Sequence, residues 1–137
     1  MRKSICIEGF SHGTNPVPAA SMMGNVLMTG AVFGTDPSTG QLAERVEDQV
    51  TLMFRNVERI LSAAGGSWDD VLKMTFYARP ELSREHINRH WVIAFPDPAS
   101  RPARHVMVSD RLPARMHVQC DLIAFVGSGA RGNASVS

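Results

Sequence analysis

The chain has 137 residues, which is the size of one domain with a complete hydrophobic core. Its 14 Lys and Arg residues nearly balance 13 Asp and Glu residues, and no basic stripe occurs, so nucleic acid and anionic membranes are disfavoured as main partners. The longest apolar run is far shorter than the roughly 20 residues of a membrane span.

The N-terminal third of the chain predicts two strands. Residues 4–10 (SICIEGF) alternate in hydrophobicity, as a half-buried strand does. Residues 11–20 contain Gly and Pro and predict an irregular loop. Residues 25–33 predict the second strand, and residues 34–42 predict a turn. We expect the two strands to pair as a hairpin around the loop.

Two helices are predicted in the middle of the chain. In residues 44–64, apolar side chains recur at steps of three and four positions, which is the pattern of one buried helix face. Gly65 and Gly66 end this helix, since glycine tolerates a left-handed cap. Residues 80–95 predict a shorter helix whose inward side chains are Leu82, Ile87, Trp91, Ala94 and Phe95.

The remaining segments predict three further strands. Residues 67–78 begin with a turn capped by Ser67 and then alternate as a strand. Residues 104–109 and 117–126 predict the last two strands, after a proline-rich loop. The final residues, 127–137, are rich in Gly and Ser and predict a flexible tail.

The element order, ββαβαββ, predicts an α+β fold, because two helices can cover only one face of such a sheet. In the last strand Leu122 and Ala124 alternate with Ile123 and Phe125, so both faces of that strand are apolar. An apolar sheet face without a covering helix favours self-association.

Cysteines and histidines give no strong signal for a reactive or metal site. Cys6 and Cys120 lie far apart, each in a predicted strand, which favours buried reduced thiols and a cytoplasmic location. His86 and His90 are four residues apart on the second helix but have no evident third ligand. No phosphate-binding loop, dinucleotide fingerprint or nucleophile elbow occurs. We therefore expect neither a metal nor a cofactor.

Arg104 is the candidate binding residue, because it stands at the start of a predicted strand, directly after RPA. Its planar guanidinium can hold a carboxylate through two parallel hydrogen bonds. Gln119 and Asp121 are two residues apart on the last strand and share a face. Asp121 is a charge among apolar neighbours, so it is either paired with Arg104 in an internal salt bridge or part of an anion site. Both alternatives stay open at this point.

Four segments carry recognisable motifs: GNVLMTGAVFGTDPSTG (24–40), NVERILSAAGGSWDDVLKMTFY (56–77), RPAR (101–104) and VQCDLIAF (118–125). In this order and spacing they resemble the Rid family, the reactive-intermediate deaminases also called YjgF-like proteins. The resemblance implies a chorismate-mutase-like sheet with two helices on one face, assembled as a homotrimer. It also implies that residues 1–126 form a single domain.

The resemblance further implies a hydrolase with sites in the clefts between subunits. Arg104 would hold the carboxylate of a 2-imino or 2-enamino acid, while a positioned water hydrolyses the C=N bond to give a 2-oxo acid and ammonia. Gly30 and Ala31 would line the cleft through their backbone groups, and Phe95 would form a wall.

Three departures from the family pattern affect this interpretation. Val17 stands where deaminase members carry a tyrosine, and His105 and Val106 replace a small polar residue and a cysteine in the cleft lining. Gln119 replaces a glutamate, and a neutral amide can orient a water but cannot take its proton. Asp121 or His12 is then the candidate base. A non-catalytic trimeric binder of small carboxylates is the alternative, and an endoribonuclease is disfavoured by the near-zero charge.

Overall fold

Eight short strands, two α-helices and one turn of 3-10 helix (Trp68–Asp70) make up the computed structural model, which describes residues 1–127. Six strands form one mixed sheet in the order β1-β2-β3-β8-β6-β7, and β4 and β5 form a separate ribbon. The elements are β1 (Lys3–Ile5), β2 (Ala20–Met23), β3 (Val26–Thr29), β4 (Thr35–Asp36), β5 (Gln41–Leu42), α1 (Val46–Ala63), β6 (Val71–Ala78), α2 (Arg84–Ala94), β7 (Ala103–Val108) and β8 (Val118–Phe125). The predicted α+β class is confirmed. Of the predicted tail, all but Gly127 lies outside the described residues.

Both helices pack on the same face of the sheet, as the sequence predicts. The apolar face of α1 is buried at the spacing that the sequence shows, with Met53, Val57 and Leu61 fully buried. These side chains meet alternate residues of the central strands, which are Leu27, Met74, Phe76, Val118, Cys120 and Leu122. Glu47 and Asp48 lie in the first turn of α1, where the helix dipole favours negative charge.

A buried amide fastens α1 to the segment that precedes β8. Gln49 is fully buried, and its Nε2 donates hydrogen bonds to the carbonyl oxygens of Ala43 and Arg115, at 2.9 and 2.8 Å. Its Oε1 accepts from the backbone N–H of His117 at 2.9 Å. The side chain therefore satisfies three backbone groups that would otherwise be buried without partners.

Within residues 1–127 no helix covers the other face of the sheet, which we call the open face. Its apolar part includes Met23, Met28 and Phe125, which are 57%, 52% and 38% exposed. Its polar part lies on β6, β7 and β8 and consists of Lys73, Thr75, Tyr77, His105, Gln119 and Asp121. No helix in this part of the chain is long and apolar enough to cross a membrane.

The predicted hairpin between the first two strands is wrong. The sequence pattern places residue 20 in the loop and gives residues 21–23 no element. In the structure residues 20–23 form β2, which pairs with β1 on one side and β3 on the other. Four residues directly after a proline-rich stretch are too few to establish a period. β1 also ends at Ile5, earlier than predicted, and Gly9 beyond it adopts a φ of +74°.

The prediction that both cysteines are buried in strands is half wrong. Cys120 is buried in β8, and its burial raises the pKa of its thiol well above the ordinary value, so it is not a nucleophile at neutral pH. Cys6 follows β1 and is exposed. Neither cysteine forms a disulfide within the described residues.

Candidate functional site

Arg104 is the second residue of β7, and its side chain points towards the helices. Parallel pairing places it opposite Met74, which is fully buried on the helix-covered face. The guanidinium Cζ lies 5.0 Å from the centroid of the Trp91 ring, a cation–π contact. Nη1 donates to Oδ1 of Asn88 at 2.8 Å. Two residues of α2 therefore fix the orientation of the guanidinium.

The charge of Arg104 has no carboxylate partner within residues 1–127. The salt bridge described in that range joins Arg45 to Glu47 instead. Partial burial lowers the pKa of Arg104, and the nearby positive charge of Arg84 lowers it further. A guanidinium nevertheless stays protonated at neutral pH. Arg104 is thus a half-buried cation that is oriented by neutral groups, an arrangement suited to an anionic ligand.

Gln119 and Asp121 lie on the open face, on the opposite side of the sheet from Arg104. Asp121 pairs with Thr75 and Gln119 pairs with Tyr77, and both alternate with buried residues of β8. The internal salt bridge between Arg104 and Asp121, one of the two alternatives above, is therefore wrong. Burial raises the pKa of Asp121, and the positive charge of Lys73 opposes this rise.

Val17, Gly30 and Ala31 also lie on the side of Asp121. Gly30 and Ala31 follow β3 at the point where its pairing with β8 continues as a bridge between Val32 and Cys120, so they run alongside Asp121. A depression of about 250 Å³ at this position is lined by Val17, Pro18, Ala20, Ser21, Met28, Thr29 and Gly30. The end of β3, which is predicted to line the cleft, therefore lies beside the carboxylate of Asp121.

The other predicted residues divide between the two faces. Phe95 is 4% exposed, and its ring packs edge-on against Trp91 at a centroid distance of 4.6 Å. Val106 is half-buried on the same face as Arg104, opposite Phe76. His105 is exposed and pairs with Thr75 on the open face. Arg104, Val106 and Phe95 therefore form one group, and the remaining predicted residues form another.

His12 is poorly placed to act as the base. Its Nε2 lies 2.7 Å from the carbonyl oxygen of Ala31, which requires a proton on Nε2. Its Nδ1 is buried and has no hydrogen-bond partner among residues 1–127. Nε2 already carries its proton and the unprotonated Nδ1 is buried away from solvent, so His12 holds the Ala31 segment and is not in a position to take a proton from a water.

The helical histidine His90 has a packing role. The His90 ring stacks on Phe54 at 5.2 Å, and its Nε2 lies 3.2 Å from Oγ1 of Thr51. Burial lowers the pKa of His90, with a smaller contribution from the charge of Arg89. Residues 1–127 contain no group of three His, Cys, Asp or Glu side chains that could hold a metal. The expected independence from metal stays a prediction.

Sequence reasoning missed Asn88 and Trp91 as partners of Arg104. The sequence pattern places Trp91 on the buried face of the second helix and gives no signal for Asn88. Their helical spacing of three residues places them on neighbouring turns of one face. The missing information was the register of β7 against β6, which decides what lies over Arg104.

Known proteins with similar sequences and structures span nearly the whole chain. Residues 10–126 match the family described as Endoribonuclease L-PSP. A RutC family protein of Aquifex aeolicus is 30% identical over 114 residues, covering 80% of this chain and 91% of that protein. A 2-iminobutanoate/2-iminopropanoate deaminase of Salmonella typhimurium is 28% identical, covering 90% and 98%. The crystal structure of RidA from an Antarctic Psychrobacter species matches with a TM-score of 0.80 at 27% identity, covering 90% and 99%.

Proposed function

Because the chain belongs to the Rid family, the YjgF-like proteins whose family description is Endoribonuclease L-PSP, we propose that it is a hydrolytic deaminase of 2-imino and 2-enamino acids. A 2-enamino acid first tautomerises to its 2-imino form by taking a proton on C3. Water then adds to the carbon of the C=N bond, the added hydroxyl gives its proton to the nitrogen, and the C–N bond breaks to leave a 2-oxo acid and ammonia. Relatives named 2-iminobutanoate/2-iminopropanoate deaminase support this reaction class.

The observation that carries the proposal is the state of Arg104. The Trp91 ring and the Asn88 amide orient its guanidinium, and no carboxylate neutralises it within residues 1–127. Burying a cation without a counter-ion is costly unless a ligand supplies the opposite charge. The α-carboxylate of an imino acid does so and can accept two parallel hydrogen bonds.

The two groups of candidate residues indicate a site shared between subunits. Arg104, Val106 and Phe95 lie on the helix side of the sheet, whereas Gln119 and Asp121 lie on the open face. One small ligand reaches both groups only if they come from different copies of the chain. A homotrimer with a chorismate-mutase-like arrangement, its open faces turned inward, would bring β7 of one subunit to the open face of the next.

In this arrangement the open-face residues orient and activate the attacking water. Gln119 offers its amide as a donor or acceptor to orient the water, and Asp121 is the candidate base. The raised pKa of Asp121 suits that role, because a stronger base takes a proton more readily at neutral pH. His105, Val17 and the backbone at Gly30 and Ala31 line the remaining cleft.

A non-catalytic binder of small carboxylates is the second candidate function. The observation that favours it is Gln119, since an amide at this position cannot accept a proton from water. Both functions need Arg104, but only the deaminase releases ammonia. The endoribonuclease named in the family description is disfavoured by the net charge of +1 and by the lack of clustered cations.

Ammonia release from freshly generated 2-imino acids tests the proposal. An amino-acid oxidase supplies the imines, and the excess rate over spontaneous hydrolysis is measured. We expect activity in the native protein, a large loss in Arg104→Lys, which keeps the charge but not the two-pronged geometry, and complete loss in Arg104→Ala. Carboxylate binding without ammonia release would favour the binder. Full activity in Arg104→Ala would refute both functions.

A further inference from the structure

One face of α2 lies beside the guanidinium of Arg104, a residue of β7. Arg84, Asn88 and Trp91 are spaced by four and three residues, so they lie on the same side of the helix. Asn88 and Trp91 both contact Arg104. Arg84 is the first residue of α2, about 6 Å before Asn88 along the helix axis. Its side chain is therefore rooted on the side of α2 that faces the candidate site.

Arg84 and Arg104 form a pair of like charges. The charge of Arg84 is close enough to depress the pKa of Arg104, second only to the effect of burial. Within residues 1–127 neither arginine has a described salt bridge to a carboxylate. Glu85 follows Arg84 in sequence but lies about 100° further round the helix. Two cations without a counter-ion attract anions. They bind an anion that has two negative groups more tightly than an anion that has a single charge.

We propose that Arg84 is a second anion-binding residue of this site, and that the site takes 2-imino acids whose side chain carries another carboxylate. Arg104 holds the α-carboxylate, and Arg84 holds the carboxylate at the far end of the ligand, about one helical turn away. This assignment rests on the proposed function and narrows it to a substrate class. Arg84 is exposed, so its contribution is screened by salt and is smaller than that of Arg104.

Equilibrium binding of two four-carbon probes, succinate and butyrate, tests the assignment on the intact chain at low ionic strength. We expect the native protein to bind succinate more tightly than butyrate. Arg84→Gln should weaken succinate binding by about three- to tenfold and change butyrate binding by less than about twofold. Arg89→Gln is the matched control: it removes an exposed arginine of the same helix that lies off this face, and it should preserve the preference.

The outcomes separate this inference from the proposed function. Equal affinity for the two probes in the native protein, or equal losses for both in Arg84→Gln, would overturn the role of Arg84 while leaving the Arg104 site intact. Binding of both probes that survives Arg104→Ala, or no binding of either, would instead contradict the carboxylate site itself and with it the proposed function.

Discussion

At the scale of single residues, the orientation of Arg104 depends on a neutral neighbour. Oδ1 of Asn88 accepts a hydrogen bond from Nη1 without neutralising the guanidinium, so the charge stays available to a ligand. A carboxylate at the same position would accept the same hydrogen bond but would also provide the counter-ion. The amide at position 88 therefore leaves the charge of Arg104 without a counter-ion there, which the proposed ligand-binding role requires.

Replacing Asn88 with Asp should abolish most ligand binding without unfolding the protein. The new carboxylate pairs with Arg104 and competes with the ligand, so we expect butyrate affinity to fall by at least about tenfold, while stability is unchanged or raised. Calorimetric titration and urea unfolding measure the two effects. Asn88→Ala is the comparison variant, and its loss should be smaller. Undiminished binding in Asn88→Asp would mean that Arg104 does not hold the carboxylate.

Asp121 predicts a pH-dependent stability. Its pKa is raised in the folded chain, chiefly by burial, so its ionised form is destabilising there. A carboxyl group whose pKa is raised by folding lowers the free energy of unfolding. This loss is absent below the unfolded-state pKa and fully present above the folded-state pKa. Asp121→Asn should therefore raise the free energy of unfolding at pH 7, and the gain should vanish in acid.

Urea unfolding across this pH range measures the effect, with Asp110→Asn as an exposed control that should show little change at any pH. If Asp121→Asn lowers stability at pH 7, then the charge of Lys73 outweighs the cost of burial, and the carboxylate is held as a structural ion pair.

At the scale of elements, Gln49 joins α1 to the segment before β8. Gln49→Leu keeps the approximate volume but leaves two carbonyl oxygens and one backbone N–H unpaired in the interior. We expect the free energy of unfolding to fall by about 2 to 4 kcal/mol. Urea unfolding tests this, with exposed Gln41→Leu as the control. A loss no larger than that of the control would mean that water replaces the amide.

The elements also show how far a single sequence reaches. The helix predicted over residues 44–64 was accurate because five turns of apolar periodicity outweigh local noise, and the structure has it at Val46–Ala63. β2 was missed because Ala20–Met23 has only four residues and follows Pro16 and Pro18. Its absence from the prediction caused the wrong hairpin, since β2 separates β1 from β3.

The sequence indicates candidate residues for the site but not how they are arranged in space. Motifs located Arg104, Gln119 and Asp121, yet spacing within one strand cannot decide which face a residue of another strand occupies. That depends on the register of β6 with both of its neighbours, in which Met74 opposes Arg104 and Thr75 opposes Asp121. A shift of one residue would have reversed the result.

At the scale of the whole molecule, the two faces of the sheet have different roles. The helix side carries the core and the oriented Arg104, while the open face combines exposed apolar side chains such as Met28 with the polar group around Asp121. An apolar face of this kind favours burial against other copies of the chain. The proposed shared site therefore requires the proposed trimer, and evidence against the trimer is also evidence against the shared site.

Activity of mixed trimers tests that claim most directly. Arg104→Ala removes the proposed carboxylate-binding residue, and Gly30→Leu should block the opposite side of the proposed cleft. Position 30 has room for a side chain, because the nearest atoms to an added Cβ lie 3.9 Å away.

Each variant alone should be inactive and should still form a trimer, as measured by light scattering. Co-expressed in equal amounts, they should regain about a quarter of the native sites, since one site in four combines an intact Arg104 with an intact Gly30. No recovery in mixed trimers would show that both residues act within one subunit, and a monomer in solution would contradict the shared site altogether.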